Sequence, residues 1–146
     1  MHMTERTIRE IIEDQELLTA SASMTVADAA RMMKQRNVGA MMVVDDGKLV
    51  GMFTERDALF RVVADGLDGA TTSLSDVMTK NPRTIPPDRL FAQALNIMHE
   101  GRFRHLPVVE DGRPIGMISA RDAFGPELEA FVYELLRQEQ VSQILA

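Results

Sequence analysis

The chain has 146 residues, 45% of them hydrophobic and 26% charged, with a formal net charge of −6 and no cysteine. That length predicts one domain or two small units sharing a core, and the missing thiols exclude disulfides, iron–sulfur clusters and cysteine nucleophiles. A negative balance with no basic tract argues against nucleic-acid binding, and apolar runs too short for a bilayer, with no secretory signal, predict a cytoplasmic protein that does not engage a membrane.

The chain repeats itself. Residues 24–58 shifted by 65 positions fall on residues 89–123 without a gap, with about a third of the positions identical. The echo begins earlier, where Ile8-Arg9-Glu10-Ile11-Ile12 resembles Leu74-Ser75-Asp76-Val77-Met78 with one residue of slippage. Two units of about 55 residues are too few for a solenoid and are expected to pack face to face. The boundaries read as 1–64 for the first unit with its N-terminal segment, 65–73 for a Gly-, Asp- and Thr-rich linker, 74–124 for the second unit and 125–146 for a helical extension.

In the first unit Val26, Ala29, Ala30 and Met33 form the apolar stripe of a helix, with Thr25 and Asp28 as its capping box. Two β-prone runs follow, Met41–Val44 and Leu49–Phe53, joined by Asp45-Asp46-Gly47, a strong hairpin signal. Helical patterning resumes at Ala58, Leu59, Val62 and Val63. The second unit repeats this with a stripe of Phe91, Ala94, Leu95 and Met98, capped from Asp88 because Leu90 stands where Thr25 stood. Its runs Leu106–Val109 and Ile115–Ile118 flank Glu110-Asp111-Gly112, and Pro82, Pro86 and Pro87 set an extended approach to its first strand. Runs apolar on both faces predict strands covered on both sides. Each unit therefore reads as strand–helix–strand–strand–helix, an α/β (α+β) architecture. Beyond Gly125-Pro126 a helix restarts with an apolar stripe of Leu128, Phe131, Val132, Leu135 and Leu136, which either packs on the core or meets a partner subunit.

The copies coincide best at Gly51-Met52-Phe53-Thr54-Glu55-Arg56-Asp57-Ala58 and Gly116-Met117-Ile118-Ser119-Ala120-Arg121-Asp122-Ala123. A hydroxyl three residues before an acid is a helix capping box, and that role alone accounts for Thr54/Asp57 and Ser119/Asp122. A ligand-binding role is compatible with it. Gly51 and Gly116 leave room for a planar base against the strand. Asp57 and Asp122 can accept from two ribose hydroxyls, and Arg56 and Arg121 supply fork-shaped cations for phosphate.

This order, with Thr25-Val26…Asn37-Val38-Gly39…Val43-Val44-Asp45-Asp46-Gly47 in the first copy and Arg104-His105-Leu106-Pro107-Val108-Val109 in the second, resembles a tandem pair of CBS (cystathionine β-synthase type) domains over residues 7–124. The resemblance implies two βαββα units related by a pseudo-two-fold axis, with two clefts for AMP, ADP, ATP, NAD(H) or S-adenosylmethionine, no required metal and no catalysis. It further implies a homodimer that passes a change of shape to a regulated protein the sequence does not identify. Carried over by position, one cleft holds Met52, Thr54, Arg56 and Asp57 facing Thr84, Phe103, Arg104 and His105. The other holds Met117, Ser119, Arg121 and Asp122 facing Thr19, Val38, Gly39 and Ala40. With Arg104 and His105 assigned to the first, that cleft is expected to bind phosphates more tightly. A ligand-independent dimeric scaffold, and an enzyme using Asp57 or His105, are the competing readings.

Overall fold

The computed structural model describes residues 6–125, 130 and 133–140. The chain opens with α1 (Ile8–Ile12), one turn held by a capping box in which Glu10 N donates to Thr7 Oγ1 at 3.2 Å and Thr7 N to Glu10 Oε2 at 3.4 Å. There follow β1 (Thr19–Ser21), α2 (Val26–Arg36), β2 (Ala40–Asp45), β3 (Lys48–Thr54), the short α3 (Glu55–Asp57) and a π-type segment, Ala58–Val63. The second unit has α4 (Leu74–Val77), β4 (Thr79–Lys80), α5 (Phe91–Gly101), β5 (His105–Glu110), β6 (Arg113–Ser119) and a 3-10 turn at Ala120–Phe124. Residues 130 and 133–140 are helical, whereas Pro126, Leu128, Phe131 and Val132 lie outside the described residues.

Both helices have the buried faces that their spacing predicts: Val26, Ala29 and Met33 on α2, and Phe91, Ala94 and Met98 on α5, while Ala30 is exposed. Thr25 caps α2, accepting from Asp28 N at 3.2 Å, but the Asp28 carboxylate turns to Arg31 at 2.7 Å and the box stays half closed. At α5 the cap comes from Gln93, whose Oε1 accepts from Leu90 N at 3.0 Å, and not from Asp88. A residue inside the first turn replaces the missing hydroxyl by reaching back to an orphan amide. Both helices end on a left-handed residue, Asn37 (φ 53) and Arg102 (φ 58).

The hairpins share one design. Asp46 and Gly47, and again Asp111 and Gly112, have positive φ, as a two-residue type I′ turn requires. The register slips between Val43 and Val44 and between Val108 and Val109, so both units carry a bulge at the same place. In the first sheet the order is β1-β2-β3-β4, with β1 parallel to β2 and the rest antiparallel. The second sheet is β5-β6, and its counterpart of β1 shrinks to Ile85, which bridges Val108 in parallel. Pro86 and Pro87 follow at once and have no amide to extend that ladder.

Each unit is sealed by the helical turn that precedes the other. Leu74, Val77 and Met78 pack into the first core with Phe53, Met41 and Val43, whereas Ile8 and Ile12 pack into the second with Phe91, Leu106 and Ile118. A third cluster, Ala40, Met42 and Met52 with Leu49 and Met117, joins the sheets. Strand β2 therefore alternates between a core and this seam, as a strand buried on both faces does. Phe53 and Phe91 are fully buried, each worth about 1.5–3 kcal/mol of apolar burial.

Candidate functional site

A cavity of about 590 Å³ opens where the two units meet. From the first unit it is walled by residues 15–18 ahead of β1, by residues 37–40 with Met42, and by Glu55. From the second it is walled by Arg104 and His105 at the start of β5, by Met117 of β6, and by residues 119–122. Hairpin register explains the second wall: His105 lies opposite Ser119, and Ala120 N donates to Arg104 O at 2.8 Å.

The cavity draws on residues that the resemblance assigned to both clefts. Val38, Gly39, Ala40, Met117, Ser119, Arg121 and Asp122 do meet, but Arg104 and His105 line that same cavity. Pairing with their own unit's hydroxyl strand puts them there, so the Asp122 cavity is not limited to small and apolar residues. Thr19 is half-buried in β1 beside this wall, paired with Met42. On the other side Thr84 is exposed and Phe103 packs against the second core. Met52 is buried in the seam, and Arg56 lies over the Phe60 ring at 5.0 Å.

The two acids also differ. Asp57 is only 7% exposed. Its Oδ2 accepts from Thr54 N at 3.0 Å and Thr54 Oγ1 at 3.1 Å, and its Oδ1 meets Arg61 Nε at 3.5 Å. Arg61 in turn donates to the carbonyls of Val77 and Met78, both at 3.2 Å. Asp57 is thus committed to the fold. Asp122 is half-buried, and one oxygen accepts from Ser119 N at 2.8 Å. Among the described residues its other oxygen has no partner, and neither Arg104 nor Arg121 forms an ion pair.

His105 titrates below its ordinary value of 6.5, chiefly because burial disfavours the imidazolium. The Glu55 carboxylate opposes that shift, Arg104 and Arg121 add to it, and Asp122 opposes it. Glu55 is seated over Gly39, where an added Cβ would lie 3.0 Å from Oε1, and Glu55 N donates to Gly39 O at 2.9 Å. Sequence reasoning missed Glu55 and Gln15. The offset between the two helical turns that open the units is the signal that finds Gln15, since it sets residues 13–15 on residues 79–81.

The two repeated glycines do something other than receive a base. A Cβ on Gly51 would lie 2.5 Å from Met78 Sδ, and one on Gly116 would lie 2.7 Å from Ile12 Cβ. Their open faces are filled by the exchanged helical turns.

No helix among the described residues is long and apolar enough to cross a membrane. The family model for the CBS domain matches residues 8–64 and 74–125. The CBS domain-containing protein CBSCBSPB2 of Arabidopsis thaliana is 41% identical over 115 residues, which is 78% of this chain and 21% of that protein. The chain thus spans about a fifth of the length of that plant relative. A CBS-domain containing protein from Agrobacterium tumefaciens superposes with a TM-score of 0.76 at 31% identity, covering 85% of this chain and 95% of that one. The CBS domain pair of protein MJ0100, solved in complex with 5′-methylthioadenosine and S-adenosyl-L-methionine, shares the fold at a TM-score of 0.71 and 24% identity, over 80% of this chain and 90% of that one. The chain belongs to the CBS-domain family and carries two CBS repeats, at 8–64 and 74–125.

Proposed function

We propose that the chain is a regulatory module, not an enzyme, that binds an adenosine-containing nucleotide (AMP, ADP, ATP or NAD(H), with S-adenosylmethionine as a further candidate) in the cavity between its repeats. The observation that carries the reading is a cavity walled by both units, with Arg104, Arg121, Ser119 and Asp122 among its polar lining and Leu18, Val38, Met42 and Met117 among its apolar lining. Its volume of about 590 Å³ suits a small ligand. The unengaged Asp122 oxygen suits ribose hydroxyls, the two arginines suit phosphate, and the apolar wall suits a base. A ligand that touches both units binds their relative arrangements unequally, and that difference in affinity is the signal. Likeness to the MJ0100 pair is one of fold, so the support comes from this chain's own cavity.

Thr54, Arg56 and Asp57 with Thr84 form the weaker half-site in this reading, because ribose there must displace the Thr54 and Arg61 contacts of Asp57. Native mass spectrometry of freshly purified protein tests the proposal: a retained adenine nucleotide is expected, and protein that neither carries one nor binds one after stripping contradicts it.

One observation favours a second reading, the dimeric scaffold. Leu59, Phe60 and Val63 are 54%, 52% and 68% exposed on one short segment, an apolar strip of the kind that marks a protein contact. Sedimentation tests this strip as a dimer surface: Val63→Glu is expected to turn a dimeric parent into a monomer, and an unchanged state contradicts it.

A further inference from the structure

Met117 lines the cavity, and one side chain takes both of its backbone groups. Met117 N donates to Gln15 Oε1 at 2.9 Å, and Gln15 Nε2 donates to Met117 O at 2.7 Å. The repeat shows what is unusual about this. Met52, 65 positions earlier, has the corresponding edge closed by main chain, through antiparallel pairing with Thr79 of β4. Ahead of the first unit, Glu13 and Asp14 form a turn where β4 would lie, and the Gln15 amide takes over the strand's role. A ladder strand leaves only by unzipping backbone, whereas the exposed Gln15 side chain leaves by rotation about its χ angles.

A primary amide presents a donor and an acceptor side by side. Adenine presents the same pair on its Watson–Crick edge, N6–H beside N1, and proteins read bases by hydrogen bonds to that edge. We infer that the Met117 backbone is the base-reading edge of the cavity and that Gln15 occupies it as an internal stand-in, which an adenine displaces on binding. The inference rests on the nucleotide reading above. It makes Gln15 a built-in competitor that lowers apparent affinity by the fraction of time it holds the edge. Among the described residues the equivalent edge at Met52 is closed by β4 and offers a base no such contact.

The test is calorimetric titration of AMP and 1-methyl-AMP, whose Watson–Crick edge is blocked, into nucleotide-stripped parent protein and Gln15→Ala, with amide exchange followed at Met117. The result expected is AMP binding about tenfold tighter in Gln15→Ala, with 1-methyl-AMP weak on both proteins. The Met117 amide is protected in the parent, exchanges in the variant, and is protected again by AMP. Gln15→Ser, which is too short to span the gap, supplies the same comparison if Gln15→Ala does not fold. AMP binding that is unchanged or weaker in a folded variant, or Met117 protection that AMP fails to restore, overturns the inference and leaves the nucleotide reading standing. Absence of AMP binding to every protein overturns the inference, and absence of ATP, NADH and S-adenosylmethionine binding as well overturns both.

Discussion

Gly116 and Ile12 touch across the boundary between sequence repeats: a Cβ on the glycine would stand 2.7 Å from the Ile12 Cβ and Cγ2. Gly51 holds the same relation to Met78, with 2.5 Å to its Sδ. Both glycines let the turn that opens one unit dock on the sheet of the other. Gly116→Ala therefore forces a branched side chain and its backbone apart, and a loss of about 1–3 kcal/mol is expected in urea denaturation. Gly51→Ala is expected to be milder, because Met78 is unbranched and can re-route. Equal stability of Gly116→Ala and the parent contradicts the docking role.

Asp57 and Asp122 occupy equivalent places but answer mutation differently. Asp57→Ala strands the Thr54 amide, removes the acceptor of the Thr54 hydroxyl and takes one of the partners of Arg61, so thermal unfolding should report a loss of about 1–3 kcal/mol. Asp122→Ala removes one partner from a half-exposed turn and is expected to stay within about 1 kcal/mol of the parent. A reversed order indicates that Asp122, not Asp57, is the structural acid.

His105 links the cavity to pH. Its folded-state value lies below the ordinary 6.5, so as pH falls through 6.5 the unfolded chain takes a proton that the folded chain refuses. The contribution of His105 to stability is therefore fully present above 6.5 and declines as pH drops toward the folded value. His105→Gln flattens that part of the stability–pH curve. A phosphate placed beside the imidazole favours its charged form, so binding near pH 6.5 takes up protons, visible as a calorimetric heat that changes with buffer ionisation enthalpy. Buffer-independent heat excludes phosphate contact with His105.

Arg104, Arg121 and Glu55 line the same cavity. Arg121→Gln is expected to weaken ATP about tenfold while leaving adenosine nearly unchanged, and added salt should erase much of that difference. Glu55→Gln removes an acid from the phosphate's surroundings and is expected to tighten ATP several-fold. Fluorescence competition across adenosine, AMP and ATP measures both. An equal loss for adenosine in Arg121→Gln places that arginine on the base or ribose.

Much of the fold was legible because local rules and repeat agreed. Asp46-Gly47 and Asp111-Gly112 declared their turns, and the stripes ending at Met33 and Met98 declared their helices. The exchange of α1 and α4 was not legible, since an amphipathic turn of five residues says which face is apolar and not which sheet receives it. The cavity was half legible. Ser119, Asp122 and residues 38–40 came from the family resemblance, which assigned Arg104 and His105 to the other cleft, whereas hairpin register, which sets His105 opposite Ser119, acts within a unit. Glu55 and Gln15 escaped because their roles depend on a bare Gly39 and on the missing strand ahead of β1.

The most direct measurement is calorimetric titration of AMP, ATP, NADH and S-adenosylmethionine into nucleotide-stripped parent chain and Asp122→Ala. At least one of these ligands is expected to bind the parent and to lose about tenfold or more in affinity with Asp122→Ala, while the variant keeps its fold. No binding by any of the four, or binding that Asp122→Ala leaves intact, contradicts a nucleotide site in the cavity between the two CBS repeats.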